Sequence, residues 1–264
     1  MKTRTVLTWS NLIWAFFPAG PTAANGQTPN LPTTAYHGYV NPSGLGSEVR
    51  DYLRAYGTRL IVPGNERTTL TATYSDGKVT VPATITFQLP NQTRVNLGGA
   101  SPKTLILNGN QPSVTSAGAN QDLLETLTDD TAESFFFGLS NGVPTQLMGT
   151  RCRNDDGKAD PYTGPLRDVY RRMAPVAAVA GAPVRWKMFL FDSRTKYFAG
   201  CRYRVSRNGS TVDVEITYAS WAASGSHAYP VSIARTENGS PVFSINVLQA
   251  TSAAKSIDSL FNIP

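Results

Sequence analysis

The sequence predicts an α+β protein that is mainly antiparallel β, with about nine or more strands in one strongly curved sheet and helices over its concave face. Three observations carry this. The last third holds five alternating segments in succession, at 184–191, 197–206, 210–219, 228–236 and 241–248. Two of their connections are Asn208-Gly209 and Asn238-Gly239, and Asn-Gly accepts positive φ at both central turn residues, the strongest short-range hairpin signal. Four more alternating segments lie between Arg67 and Leu107, and helical patterning falls before and between the two blocks. Strands joined by tight hairpins are antiparallel neighbours, so each block is a meander.

The chain opens with an export address. Lys2 and Arg4 precede an apolar run over 6–17, interrupted by Thr8, Ser10 and Asn11, and small residues follow as far as Thr22-Ala23-Ala24. This reads as a signal peptide over 1–24, its run too short to span a bilayer as a helix. No later stretch is long and apolar enough either. The expected product is exported, periplasmic or extracellular, with no transmembrane span in the mature chain. Residues 25–44, rich in Pro, Thr, Asn and Gly, read as a flexible leader, 45–250 as a single domain and 251–264 as a C-terminal tail.

Within that domain Ser47 is a good N-cap and Gly57 a good helix-ending residue. Val49, Tyr52, Leu53 and Tyr56 between them follow the i, i+3, i+4, i+7 rule, giving one apolar stripe fit to lie on a sheet. Strands follow at 67–74, 78–89, 92–97 and 104–107. Ile85, Phe87 and Leu89 alternate with Thr84, Thr86 and Gln88, and Pro82 marks an edge or a bulge.

The middle differs in kind. Leu123, Leu124 and Leu127 make a helical stripe, and Asp130-Thr131-Ala132-Glu133 has capping-box spacing ahead of Phe135, Phe136, Phe137 and Leu139. Three consecutive phenylalanines cannot share one side of a helix, so at least one must meet a second protein layer or a ligand. Residues 143–183 read as irregular. The Asp155-Asp156-Gly157 turn would put Cys152 at the first position of a calcium loop and Thr163 at its twelfth, so no metal is expected there.

In the closing meander Val212, Val214, Ile216 and Tyr218 oppose Asp213, Glu215 and Thr217, while Cys201, Tyr203 and Val205 oppose Arg202 and Arg204. One face is therefore apolar and the other charged, with Arg202 and Arg204 placed for cross-strand pairing with Asp213 and Glu215. Two readings stand open for Cys152 and Cys201. A bridge would add about 3–4 kcal/mol in the chain-entropy model, whereas two buried thiols would behave as small apolar residues.

The formal charge of +6, with a pI near 9.4, is spread along the chain and falls once Lys2 and Arg4 leave. Arg151, Arg153, Arg167, Arg171 and Arg172 form the one local cluster, without the interleaved aromatics of a nucleic-acid footprint. His37 and His227 are the two histidines. No nucleophile elbow, phosphate loop or His/Cys metal cluster is visible, so no cofactor and no catalytic residue is expected. Asp192, Asp213, Glu215 and Glu237 leave a carboxylate hydrolase as a minor alternative.

A curved sheet with one apolar face under helices is a container. The candidate lining is Leu123, Leu124, Leu127, Phe135, Phe136 and Leu139 from the helices, with Phe87, Tyr203, Val214 and Ile216 from the sheet. The chain resembles the periplasmic lipoprotein-carrier (LolA-like) superfamily, and three stretches carry the likeness. These are Arg185-Trp186-Lys187-Met188-Phe189-Leu190-Phe191-Asp192-Ser193-Arg194-Thr195, Val214-Glu215-Ile216-Thr217-Tyr218-Ala219-Ser220-Trp221 and Tyr229-Pro230-Val231-Ser232-Ile233. It is also similar to secreted bacterial proteins that share the segment at 155–165. The resemblance implies an unclosed half-barrel and non-catalytic binding of a lipid, acyl chain or lipoprotein. It also implies a basic residue near the cavity, which these motifs do not locate. The alternative is a structural or interaction domain of the cell envelope, with an envelope protein as partner and a filled core.

Overall fold

The computed structural model describes residues 47–56, 66–88, 92–109, 111–113, 118–140, 142–152, 165–174, 185–224, 227–254 and 259–263. Twelve strands make one antiparallel sheet: β1 (Glu66–Ser75), β2 (Thr80–Gln88), β3 (Gln92–Leu97), β4 (Lys103–Asn108), β5 (Gln111–Pro112), β6 (Thr145–Cys152), β7 (Leu166–Ala174), β8 (Arg185–Asp192), β9 (Phe198–Arg207), β10 (Ser210–Ser224), β11 (His227–Glu237) and β12 (Ser240–Ala254). Among the described residues three helices accompany it, α1 (Ser47–Ala55), α2 (Ala119–Thr128) and α3 (Ala132–Ser140), with a 3-10 turn at Ser259–Phe261.

The strand order is β5-β4-β3-β2-β1-β12-β11-β10-β9-β8-β7-β6. Two meanders thus step outward in opposite directions from a central seam, where β1 pairs with β12 from Glu66↔Ala254 to Ser75↔Ser244. The sheet is unclosed, with β5 at one rim and β6 at the other. To pass between those rims the chain must cross the sheet, and α2 and α3 are the segment that crosses. They form a strap over the concave face.

Local chemistry fixes the register. Asn208 and Gly209 (φ 51° and 77°) and Asn238 and Gly239 (φ 49° and 79°) take the left-handed backbone that two-residue hairpins need. Pro82 stands opposite Thr73 of β1, but on its other side the β3 ladder begins only at Ala83↔Leu97. The missing N–H therefore falls where β2 is locally an edge, and its carbonyl accepts Gly98 N–H at 2.8 Å.

The inward residues form one core. Leu70, Ala72, Ile85 and Val95 from the first meander join Phe189, Phe191, Tyr203, Val214 and Ile216 from the second, all buried. Fully burying one such large side chain is worth about 1.5–3 kcal/mol. On the outer face Arg202 pairs with Glu215 at 2.8 Å and Arg204 with Asp213 at 2.5 Å, as the alternation predicts.

Three findings differ from the sequence reading. Part of the region read as irregular is regular, because β6 and β7 lie within 143–183. The outer face is not wholly polar, since Val169, Met188 and Leu190 form a second buried cluster there. The packed structure also runs past 250, with β12 continuing to Ala254 and Phe261 buried beyond it. The segments 1–24 and 25–44 and the turn at 155–157 lie outside the described residues.

Candidate functional site: a strapped concave face

The concave face divides into three sectors. The first is aromatic and belongs to β7–β10, where Tyr170, Phe189, Phe191, Phe198 and Tyr218 point inward against Tyr52 and Tyr56 from the α1 end and Phe135 and Phe136 from α3. Ring centroids stand 4.8 Å apart for Tyr52–Phe191 and Phe135–Phe191, 5.0 Å for Phe198–Tyr218 and 5.7 Å for Tyr56–Phe136. These are ordinary contact distances for tilted and edge-on pairs, so the rings fill this sector. Phe135, Phe136 and Phe137 are all buried. The second layer that their succession demands includes Tyr56.

Beneath α3 lies a cation that sequence patterning passed over. Arg172 of β7 donates to the carbonyls of Ser134 and Phe135 at 2.8 and 2.9 Å and to Ser134 Oγ at 3.0 Å. Its guanidinium also covers the Phe189 ring, 4.4 Å from the centroid. The approach requires glycine at 138, where a Cβ would stand 2.0 Å from Arg172 Nη1.

The second sector is ionic. Lys187 of β8 is buried, with Nζ bonded to Asp130 and 3.3 Å from Glu125 Oε1. Arg235 of β11 has no exposed side-chain surface and donates to Asp122 Oδ1 (3.2 Å), Glu237 Oε1 (3.0 Å), Thr126 Oγ1 (3.2 Å) and Tyr203 OH (3.2 Å). Tyr203 passes the chain on, donating to Asp130 Oδ2 at 2.9 Å. Nearer solvent, Arg207 of β9 bonds to Asp122 and reaches Glu237 Oε2 at 2.9 Å. Asp122, Glu125 and Thr126 are on α2 and Asp130 follows it, so cations from β8, β9 and β11 all grip the strap.

Burial raises the Asp122 carboxyl above the usual range, against the pull of Arg235 and Arg207. Burial works against the charge of Arg235, but Tyr203, Asp122, Asp130 and Glu237 together push its pKa up. Cys201, a buried free thiol, is raised by burial and by Asp130. It stands three strands from β6, which carries Cys152, and neighbouring strands are about 4.8 Å apart. For Cys201 the structure shows the thiol.

The third sector is aliphatic. Leu70, Ala72, Ala83, Ile85, Val95 and Leu97 of β1–β3 line it, and α2 passes over β3 and β4. Phe87 and Leu139 are partly buried at the margin of the core. Every other candidate lining residue, Leu123, Leu124, Leu127, Phe135, Phe136, Tyr203, Val214 and Ile216, is buried within it. Tyr203 is not plain apolar wall, because its hydroxyl belongs to the ionic chain.

A smaller polar knot ties α1 down. Tyr52 donates to Asp168 of β7, Thr150 of β6 donates to the same carboxylate at 2.6 Å, and Lys196 Nζ stands 3.5 Å from it. Among the described residues no His/Cys/Asp/Glu group is arranged to hold a metal ion, and no helix is long and apolar enough to cross a membrane.

An open antiparallel half-barrel strapped by helices is the class of fold these observations define. No family model matches the chain, and no curated protein matches it. Among solved structures it is similar to a LolA superfamily protein from Nitrosomonas europaea, at 10% identity and a TM-score of 0.51 over 81% of this chain and 96% of that one. A putative outer membrane lipoprotein-sorting protein domain from Vibrio parahaemolyticus aligns at 8% identity and 0.48, over 84% and 97%. A DUF1329 family protein from Desulfovibrio piger aligns at 7% and 0.48, over 82% and 96%. The likeness to the Nitrosomonas europaea protein shows a shared half-barrel fold.

Proposed function

We propose that this protein, once exported, binds and carries a hydrophobic ligand, a lipid or acyl chain, beneath the strap, without catalysis. The observation that carries the reading is how the strap is held. A buried ion pair loses nearly as much in desolvation as it gains in attraction, so it contributes little net stability while fixing geometry. Holding α2 by Lys187, Arg207 and Arg235 gives a cover with one closed register, whose release is opposed chiefly by the burial of Leu123, Leu124 and Leu127 and little by the ion pairs. The aromatic sector under α3 stays as the anchor, and the aliphatic sector beneath α2 receives the chain. Lipoprotein cargo would be the special case of an acyl chain attached to a protein.

Native mass spectrometry of the purified protein should find bound lipid, and the stripped protein should take up a fluorescent fatty acid. A stripped, folded protein that takes up none would sink the proposal. The packed rings of the aromatic sector favour one competitor, an envelope interaction domain with a filled core. That reading expects neither retained lipid nor uptake.

A further inference from the structure

Asn208-Gly209-Ser210 and Asn238-Gly239-Ser240 are the same tripeptide in two hairpins of one sheet. Their backbones match, with Asn φ of 51° and 49° and Gly φ of 77° and 79°. Both turns are exposed, and nothing lies within 4 Å of where a Cβ would stand on either glycine. They differ in one contact. Asn238 Oδ1 accepts the N–H of Asp213 at 2.9 Å while Asn238 N–H donates to the Asp213 carbonyl at 2.8 Å, stitching that turn to β10. Among the described residues no hydrogen bond holds the Asn208 carboxamide. Among the described residues a third such pair, Asn108-Gly109, is also held, because Asn108 Oδ1 accepts from Gln92 Nε2 at 3.1 Å.

We propose that Asn208 is a self-modifying site, deamidating in the folded protein ahead of Asn238 and Asn108. Glycine at the next position leaves its amide nitrogen unhindered by a Cβ. Having lost its proton to base, the Gly209 nitrogen attacks Cγ of Asn208. A C–N bond forms, ammonia leaves with a proton from solvent, and a five-membered succinimide results. Water then opens the ring at either carbonyl, giving aspartate or isoaspartate. One water is consumed, one ammonia is released, and no electrons are transferred. Ring closure requires the carboxamide to swing free, which is the freedom that Asp213 denies to Asn238.

The new carboxylate would have a consequence for the strap. Arg207, the preceding residue, bonds both Asp122 of α2 and Glu237 of β11. An anion at 208 competes for that guanidinium at the outer end of the ionic sector, so conversion loosens the hold of β9 on α2. This second step rests on the ion-pair geometry and holds whether or not the chain carries lipid.

The test is peptide mapping by mass spectrometry of the purified full chain, held at mildly alkaline pH and sampled over weeks. Asn208 should convert ahead of Asn238 and Asn108, roughly five-fold faster than Asn238, the ratio equivalent to one ordinary hydrogen bond. In denaturant the two rates should draw together. Equal native rates, or an excess at Asn208 that persists undiminished in denaturant, overturn the proposal. The product mimic Asn208→Asp should raise hydrogen exchange over 119–128, and unchanged exchange there overturns the link to the strap.

Discussion

Arg235 Nη2 stands 3.2 Å from Asp122 Oδ1, joining a guanidinium with no exposed side-chain surface to a carboxylate that is 8% exposed. One belongs to the sheet and the other to the strap, so the pair spans the interface that must part for anything to enter beneath α2. Arg235→Met should cost about 3–5 kcal/mol in urea unfolding, because Asp122 and Asp130 are left buried with less counter-charge. Adding Asp122→Asn should recover part of that loss, and a double-mutant cycle reads the coupling directly.

Gly138 and Arg172 should be coupled in the same way by sterics. Gly138→Ala places a methyl group where the guanidinium lies, 2.0 Å from Nη1. An overpacking cost of about 1–3 kcal/mol is expected. In an Arg172→Ala background the same substitution should cost much less. Equal costs in the two backgrounds would show that the helix, not the arginine, resists the methyl group.

The aliphatic sector can be filled deliberately. Ala83 is 3% exposed and faces inward from β2. If α2 covers a chain-binding space there, Ala83→Phe should abolish fluorescent fatty-acid uptake with little change in urea midpoint. A core already filled by protein would instead show an overpacking loss of about 1–3 kcal/mol.

Two aspartates should respond to acid in opposite senses. Asp122 is raised by burial, so the folded chain holds its proton more tightly than the unfolded one. Its stabilising share is present below the unfolded value and is lost as pH rises through the folded value. Wild type should therefore gain on Asp122→Asn as pH falls from neutral through the carboxylate range. For Asp192 burial is outweighed by the Thr195 N–H and hydroxyl and by Arg167, and the carboxyl is lowered. Its share is present above the unfolded value and lost as pH falls through the folded one, so wild type should lose ground to Asp192→Asn at the acid end. Paired urea titrations across pH check both signs.

The sheet was legible because its signals are local. Alternation at Val212–Tyr218 and Ile85–Leu89 and the Asn-Gly turns fix strands without knowledge of their partners. The helical stripes of Leu123, Leu124 and Leu127 are equally local. The ionic sector was not read, because its members are far apart in sequence and look like surface charges singly. One clue was available: Lys187 shares strand parity with Phe189 and Phe191, Arg235 with Ile233, and Arg172 with Tyr170. A charge in an inward column must be paired or it would not be tolerated. β6 and β7 escaped because their polar, arginine-rich strands lack clean alternation, and β6 carries a bulge between Leu147 and Gly149.

The seam between β1 and β12 has a consequence for how the molecule comes into being. Pairing the earliest strand with the latest leaves the centre of the sheet as the last part that a growing or translocating chain can complete. Until β12 emerges, β1 and β11 each present a bare ladder of backbone donors and acceptors, and such edges recruit other chains. A truncation within β12 should therefore cause aggregation rather than a local defect, and long-range closure of this kind makes for slow folding.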